Sequence, residues 1–416
     1  MNDTSYNIHH IDISDGVRRL ETDHAHALYL VFFYKSIPLG HVYVNVDTYN
    51  ASPFDICYKA IEPALLFYQR EFQLTEFVLE CNEQSMLTLT QLILEKINPP
   101  NFPQTSDVSI VICTRNRAES LATCLEALSK QISKPAEIVV VDNASTSVSV
   151  KHVCKKFNVR YIREDRVGLD IARNTGAREA RHSIIAYTDD DTTPDPLWVY
   201  RVHETFARNP EVAAMTGLIL AGSLKTEAEI IFEKYWPFNR GFTPRVFDDR
   251  FFKSTLPGGP PVWEIGAGAN MAFRKTVFDD VGYFDERLDV GAAGCSGDSE
   301  LWYRILAENL VIQYNPLAIV QHFHRASLDG LKRQLYSYMK GFTVAILIQY
   351  QRFGHNGNLR HLFRVIPVYY LSLLRKGFPY YNSQYQTLFS EMRGIIAGMF
   401  YYLRHRNTNP RIFIGP

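Results

Sequence analysis

Three consecutive carboxylates, Asp189, Asp190 and Asp191, stand in the segment SIIAYTDDDTTPDP. Like charges side by side repel, so such a triplet asks for a cation or a polar ligand to face it. A divalent cation is held by carboxylate oxygens and can act as a Lewis acid. The plainer alternative is a solvated polar turn. Turn chemistry accounts for Asp195, since Asp195 and Pro196 read as N-cap and first residue of a helix over PLWVYRVHETFARN. It does not account for the three acids before it. Other polar residues follow other apolar runs: Thr114, Arg115, Asn116 and Arg117 after VSIVIC, and Asp142 with Asn143 after EIVVV.

The elements that must position these residues are strands. VSIVIC, EIVVVDN, VRYIRE and SIIAYTDDD read as four strands of a mainly parallel sheet in an α/β domain. AESLATCLEALSKQ reads as a helix with Leu121, Cys124, Leu125 and Leu128 on one face. In open α/β sheets ligands bind at the carboxyl ends of the strands, so the polar groups above are expected along one edge. The sequence lacks both the G-x-G-x-x-G fingerprint after the first strand and G-x-x-x-x-G-K-[ST]. A dinucleotide-binding Rossmann domain and a P-loop NTPase are thereby disfavoured.

The 416 residues divide into four stretches. Residues 1–96 are expected to form a small accessory α+β domain. Within it, ALYLVFFY and HVYVNVD are strands, the second alternating at Val42, Val44 and Val46, with KSIPLG as a turn carrying Pro38 and Gly40. YKAIEPALLFYQREF is a helix. Residues 97–106, with Pro99, Pro100 and Pro103, have linker composition. Residues 107–325 are the α/β domain, and residues 326–416 are helical, aromatic and basic. From Arg325 to Pro416 there are 13 Lys and Arg against two acids, a balance of +11 in a chain of zero formal net charge. The six cysteines are scattered without a C-x-x-C pair, which fits a reducing cytosol. The polar start MNDTSYNIHHIDISDG reads as no signal peptide, and a cytoplasmic chain is expected.

VSIVICTRNRAESLATCLEAL, EIVVVDNAS, GLDIARNTGAREA and IIAYTDDDTTPDP, in this order, resemble the donor half of a family-2 glycosyltransferase of the GT-A type. GAGANMAFRKTVFDDVGYFDERL, GDSELWYRIL and NPLAIVQHFHR resemble the acceptor half. The resemblance covers residues 107–325. It implies inverting transfer of a sugar from a nucleotide-sugar, usually a UDP-sugar, with Mg²⁺ or Mn²⁺, to a hydroxyl of a glycan or lipid-linked acceptor. It also implies the roles that follow. Asp191 binds the metal, Asp189 lies on the ribose side, and Asp190 has no settled role. Asp142 accepts from the nucleobase, Thr114 and Arg117 flank it, and Arg115 and Asn116 are neighbours. Arg173 reaches a phosphate from GLDIARNTG, with Asn174 beside it; the alternative for Arg173 is an ordinary surface salt bridge. Asp298 is the catalytic base, although Gly297 stands where the family usually has Glu. An acid at that place also suits the first turn of a helix, with Gly297 as its N-cap. Glu300 orients the acceptor or completes the helix start. His322 is a further metal ligand, with His324 two residues on along the same face. Gly266 and Gly268 in GAGAN let backbone approach a sugar or diphosphate, with Asn270 closing the segment. Trp263 and Glu264 are candidates to face the acceptor.

Two other classes compete. A nucleotidyltransferase would share the sheet and the acids, but would normally carry a glycine-rich basic loop after the first strand, and CTRNRAES has no glycine. A non-catalytic sugar-nucleotide or glycan-binding protein would have no reason to keep both Asp191 and Asp298. In the basic region, FTVAILIQY, VIPVYYLSLL (interrupted by Pro367) and GIIAGMFYYL are too short to span a bilayer. They are expected either to lie on an anionic membrane surface at the inner face of the membrane, or to cover the acidic remainder or a second subunit. No nucleic-acid-binding module accompanies the charge.

Overall fold

The computed structural model describes residues 5–20, 27–99, 101–381 and 383–408. Pro100 of the expected linker, parts of the N-terminal stretch (1–4 and 21–26) and the end of the basic region (409–416) lie outside them. Strands β1 (Asn7–Asp12), β2 (Leu28–Tyr34) and β3 (Ile37–Val44) form a three-stranded sheet in that order. The main sheet has nine strands: β4 (Thr105–Thr114), β5 (Lys134–Asn143), β6 (Arg160–Glu164), β7 (Ile184–Thr188), β8 (Thr192–Pro194), β9 (Val212–Ala221), β10 (Arg245–Phe247), β11 (Asn270–Arg274) and β12 (Val311–His322). Its order is β10-β12-β9-β11-β7-β4-β5-β6, with β8 paired to β12.

The mixed α/β fold with a mainly parallel sheet is as expected from the sequence. Strands β4, β5, β6 and β7 are mutually parallel, and β11 runs against both β7 and β9. That sets β9, and β12 parallel to it, in the direction of β7. Only β8, β10 and β11 point the other way. The carboxyl ends of β4, β5, β7 and β12 therefore share one edge. Central strands read as continuous apolar runs because both faces are covered. Ile110 and Ile112 of β4 pack with Leu121, Leu125 and Leu128 of helix Ala118–Ser129. Val111 packs on the other face with Ala172 and Ala177 of helix Leu169–Glu179.

The N-terminal stretch contributes to two cores. Leu28, Leu30 and Phe32 of β2 face helices Pro53–Glu71 and Glu83–Ile97, whereas Tyr29 and Val31 join the core of the main sheet. Two local expectations are corrected here. Pro38 and Gly40 lie inside β3, and the reversal is confined to Lys35 (φ 52°) and Ser36. Pro38 is tolerated because β3 is an edge strand with a register shift opposite Phe33. Val46 does not continue the alternation. It opens a short helix, Val46–Ala51, because the Asn45 side chain caps it by accepting from the Thr48 N–H.

Asp195 is not the N-cap expected of it. Helix Trp198–Arg208 starts later, and the Asp195 carboxylate takes the Leu197 N–H at 2.9 Å, bridging the turn before the helix. The basic region is helical as expected, with helices Leu328–Phe353, Ile366–Gly377 and Leu388–His405. Pro367 does not break its stretch. It sits in the first turn of its helix, after a single wide turn at His361–Val365 that absorbs the missing N–H.

Candidate active site

The shared sheet edge opens on a cavity of about 1480 Å³. Asp189, Asp190 and Asp191 line it immediately after β7. The register of β8 on β12 pairs Thr192 with His322 and so fixes His322 beside Asp191. His322 Nε2 lies 3.4 Å from Asp191 Oδ1. Ligand atoms of Asp189, Asp191 and His322 lie within 4.8 Å of one another, a group that can hold a metal ion. Two carboxylates and one imidazole suit a divalent ion that accepts oxygen and nitrogen donors. Burial pushes the His322 pKa down to about 4, so its ring is neutral and keeps a lone pair for a ligand bond. Behind it, His322 Nδ1 meets His324 Nδ1 at 3.4 Å, and His324 Nε2 meets Glu233 Oε2 at 3.1 Å.

The three acids are electrostatically distinct. Asp190 Oδ2 accepts from Thr114 Oγ1 at 2.7 Å, and Arg117 donates to both Asp190 and Asp191 at 2.7 Å. Burial raises the Asp190 pKa to about 6. Burial, reinforced by the Asp191 charge, raises Asp189 to about 7. Burial works against ionisation of Asp191 as well, but Arg117 and, where it is protonated in the acid range, His322 outweigh it and hold its pKa below the ordinary value. Asp191 is therefore the most readily ionised of the triplet and presents charge to the cavity.

A second acidic group surrounds Arg173. Its Nη1 donates to Asp170 Oδ1 at 3.0 Å and to Asp289 Oδ2 at 2.6 Å, all three side chains being buried. Asp298 lines the cavity next to them. Its Oδ2 accepts from the Gly268 N–H at 2.7 Å, and its Oδ1 accepts from the Ser299 N–H at 2.6 Å. A Cβ at Gly268 would fall 2.5 Å from Arg173 Nη2 and 3.2 Å from Asp298 Oδ2, so only glycine permits this approach. Burial, with the neighbouring charge of Asp289, raises the Asp298 pKa, and Arg173 opposes the rise. Gly297 is the first residue of helix Gly297–Ala307, behind Ser296 as N-cap rather than being the N-cap itself. The space where a side chain would project from Gly297 is taken by Asp170. A Cβ there would lie 2.0 Å from Asp170 Oδ2, a buried oxygen without a hydrogen-bond partner.

The remaining expected residues separate into those that reach the cavity and those that build its walls. Arg115, Trp263, Gly266 and Arg173 line it. Trp263 packs edge-on against Phe342. Asp142 is fully buried, and its carboxylate accepts from Ser145 N–H, Tyr161 Oη and Arg163 Nη1. Asn116 is left-handed (φ 57°) and ties its loop to the next by accepting from the Thr146 N–H. Asn174 clasps the backbone of Phe284 through both ends of its amide. Asn270 bridges Trp198 Nε1 to the carbonyls of Leu218 and Ala318. Glu300 is fully buried and accepts from Arg304, whose guanidinium also donates to the carbonyls of Val281, Gly282 and Tyr283. Glu264 belongs to a short 3₁₀ turn and His324 backs His322.

Sequence reasoning missed Asp170, Asp289, Glu233 and Arg325. Asp170 stands three residues before Arg173 on one helix, a spacing that does pair side chains. Nothing local marks Asp289, which reaches Arg173 across 116 residues of chain. Arg325 follows His324 directly and brings a cation to the cavity beside the triplet.

A mainly parallel sheet with acidic groups at its carboxyl edge presents them where open α/β sheets bind their ligands. Residues 109–282 match the glycosyl transferase family 2 profile, and this stretch of the chain is a glycosyltransferase domain of that family. It is 26% identical over 264 residues to the glucosyl-dolichyl phosphate glucuronosyltransferase of Haloferax volcanii, covering 58% of this chain and 77% of that one. It is 34% identical over 241 residues to chondroitin synthase of Escherichia coli, covering 52% of this chain but only 34% of that protein. The match to glycosyltransferase AglE of Haloferax volcanii is 27% over 192 residues and spans 58% of its length. Among solved structures, a mannosyltransferase from Pyrobaculum calidifontis in complex with GDP-Man and Mn²⁺ superposes with a TM-score of 0.46 at 15% identity, over 75% of this chain and 94% of that one.

Proposed function

We propose that this chain transfers a sugar, with inversion, from a nucleotide-sugar of the UDP class to a hydroxyl of a glycan or lipid-linked acceptor. One observation carries the reading. The metal-capable group of Asp189, Asp191 and His322 lines the same cavity as Asp298, a carboxylate oriented by two backbone N–H groups. Asp189, Asp191 and His322 would hold Mn²⁺ or Mg²⁺, whose chemistry there is to neutralise the diphosphate as it leaves. Arg117 and Arg325 add positive charge on the same side, and Thr114 holds Asp190 in place. Asp298 takes the proton of the acceptor hydroxyl as its oxygen bonds to the anomeric carbon and the bond to the diphosphate breaks. Asp142, Asn116 and Asn143 shape the nucleoside end. The relation to a dolichyl phosphate-sugar transferase supports a lipid-linked acceptor, and that to chondroitin synthase supports a glycan.

The test is nucleotide release and sugar transfer with UDP-, GDP- and dTDP-sugars against lipid-linked and free-glycan acceptors, with and without a chelator. Chelator-sensitive turnover with a UDP-sugar is expected. Turnover indifferent to the chelator would remove the metal assignment, and turnover only with another nucleotide would correct the donor.

A further inference from the structure

Helix Leu388–His405 is apolar on both sides. Its inner side lies so close to helix Leu328–Phe353 that a Cβ at Gly394 would fall 2.4 Å from the Tyr336 carbonyl oxygen. Its outer side presents Phe389, Ile396, Phe400 and Leu403, exposed by 71%, 55%, 70% and 58%. Offsets of seven, four and three residues put these four on one stripe. The preceding segment adds Phe378 and Tyr380, exposed by 76% and 87%. An exposed apolar stripe along a helix of this kind marks an interaction site.

Charge selects the occupant. From residue 354 to 408 the chain carries seven Arg and Lys and a single acid, Glu391. That acid is buried and accepts from Tyr370 Oη and Thr387 Oγ1. The exposed stripe is thus flanked by Arg393 and Arg404 with no exposed carboxylate from its own described segment to answer them, while Glu227 of another helix accepts from Gln386 Nε2 just before the stripe begins. A second copy docking through this face would set like charge against like across a two-fold axis. An anionic bilayer satisfies both the apolar stripe and the cations. No helix among the described residues is long and apolar enough to cross a membrane, so the contact lies in the surface plane.

We propose that helix Leu388–His405, with the segment leading into it, is a docking face for an anionic lipid surface, Phe389, Ile396, Phe400 and Leu403 entering the acyl boundary and Arg393 and Arg404 meeting lipid phosphates. The same region reaches the cavity, which Val365, Ile366 and Tyr369 line together with Asp298. Docking would bring a lipid-anchored acceptor to the catalytic edge, but the docking itself does not depend on the transferase reading.

The experiment is flotation of the full chain with vesicles of phosphatidylcholine mixed with phosphatidylglycerol, against vesicles of phosphatidylcholine alone, at low and high salt. The expected result is binding to the mixed vesicles at least ~10-fold tighter than to the neutral ones, weakened by salt. The double variant Ile396→Ser/Phe400→Ser should lose at least ~10-fold of that binding while keeping the native circular dichroism spectrum. Arg393→Gln/Arg404→Gln should lose the preference for anionic lipid. Equal binding to both vesicle types, or vesicle binding unchanged in both variants, overturns the proposal. A dimer in sedimentation velocity that becomes monomeric in Ile396→Ser/Phe400→Ser, with no vesicle binding, overturns it in favour of a second copy. Nucleotide release from the donor in detergent-free buffer, measured alongside, reports separately on the transferase reading.

Discussion

The cavity has two acidic walls built from similar parts. Each has three aspartates and one arginine: Asp189, Asp190 and Asp191 with Arg117, and Asp170, Asp289 and Asp298 with Arg173. The acids of the first wall are consecutive residues at one strand end, and its arginine follows a neighbouring strand. Its arginine is about one-third exposed, and Asp189 and Asp191 each offer an oxygen as a ligand atom. The second comes from three separate segments. Its arginine is buried, and two of its acids are spent holding that arginine. An open wall can exchange its guanidinium for another cation. A closed wall can only hold one carboxylate, Asp298, in a fixed pose. Under the proposed function the same charge composition is assigned to ligand capture on one side and to proton transfer on the other.

The contrast is broken most sharply by removing one acid from each wall. Asp191→Ala should cost on the order of 10³-fold in turnover and weaken Mn²⁺ binding measured by calorimetry. Asp298→Asn should cost ~10²- to 10⁴-fold in turnover with Mn²⁺ and donor affinity unchanged. If both variants lost metal affinity alike, the division of labour would be wrong. The next effect lies behind the open wall. His324→Gln, which alters the contact from Glu233 to His322, should weaken metal affinity by ~10- to 100-fold, read by the same titration.

Smaller effects test the closed wall. Gly297→Ala drives a methyl group into Asp170 Oδ2, 2.0 Å away. It should lower stability by about 1–3 kcal/mol in urea unfolding and reduce turnover, while metal affinity stays put. The smallest expected change is in pH dependence. Burial and Asp289 raise the pKa of Asp298, which disfavours its ionised form. The acid limb of kcat/KM should therefore lie above the ordinary carboxylate range. Asp289→Asn removes a like charge and should move that limb to lower pH. A limb that stays or rises would separate Asp298 from the observed ionisation.

Much of the open wall was legible in the sequence. Strand ends can be read from apolar runs, and parallel strands deliver their carboxyl ends to one edge, so the sequence alone brings Thr114, Arg117 and the triplet together. His322 was legible as a histidine near the end of a late strand. Roles were less legible than places. Asp142 was expected to meet a nucleobase, yet its carboxylate is already engaged by three donors. Arg117 was expected at the base and stands on Asp190 and Asp191. Asn174 and Asn270 sit in marked motifs but clasp backbone, because a buried amide is stable only when its donors and acceptor are met.

Sequence alone determined which residues lie at strand ends, because the alternation of apolar runs and turns is a local property of the chain. The +11 of the last stretch was equally a matter of counting. Tertiary structure decided everything that depends on distance across the chain. It set His322 against Asp191 through the register of β8 on β12, gathered Asp170 and Asp289 around Arg173, and filled the place left by Gly297 with Asp170. It also decided which side of helix Leu388–His405 is covered. Both sides are apolar, and only packing against helix Leu328–Phe353 chooses the one that stays in water.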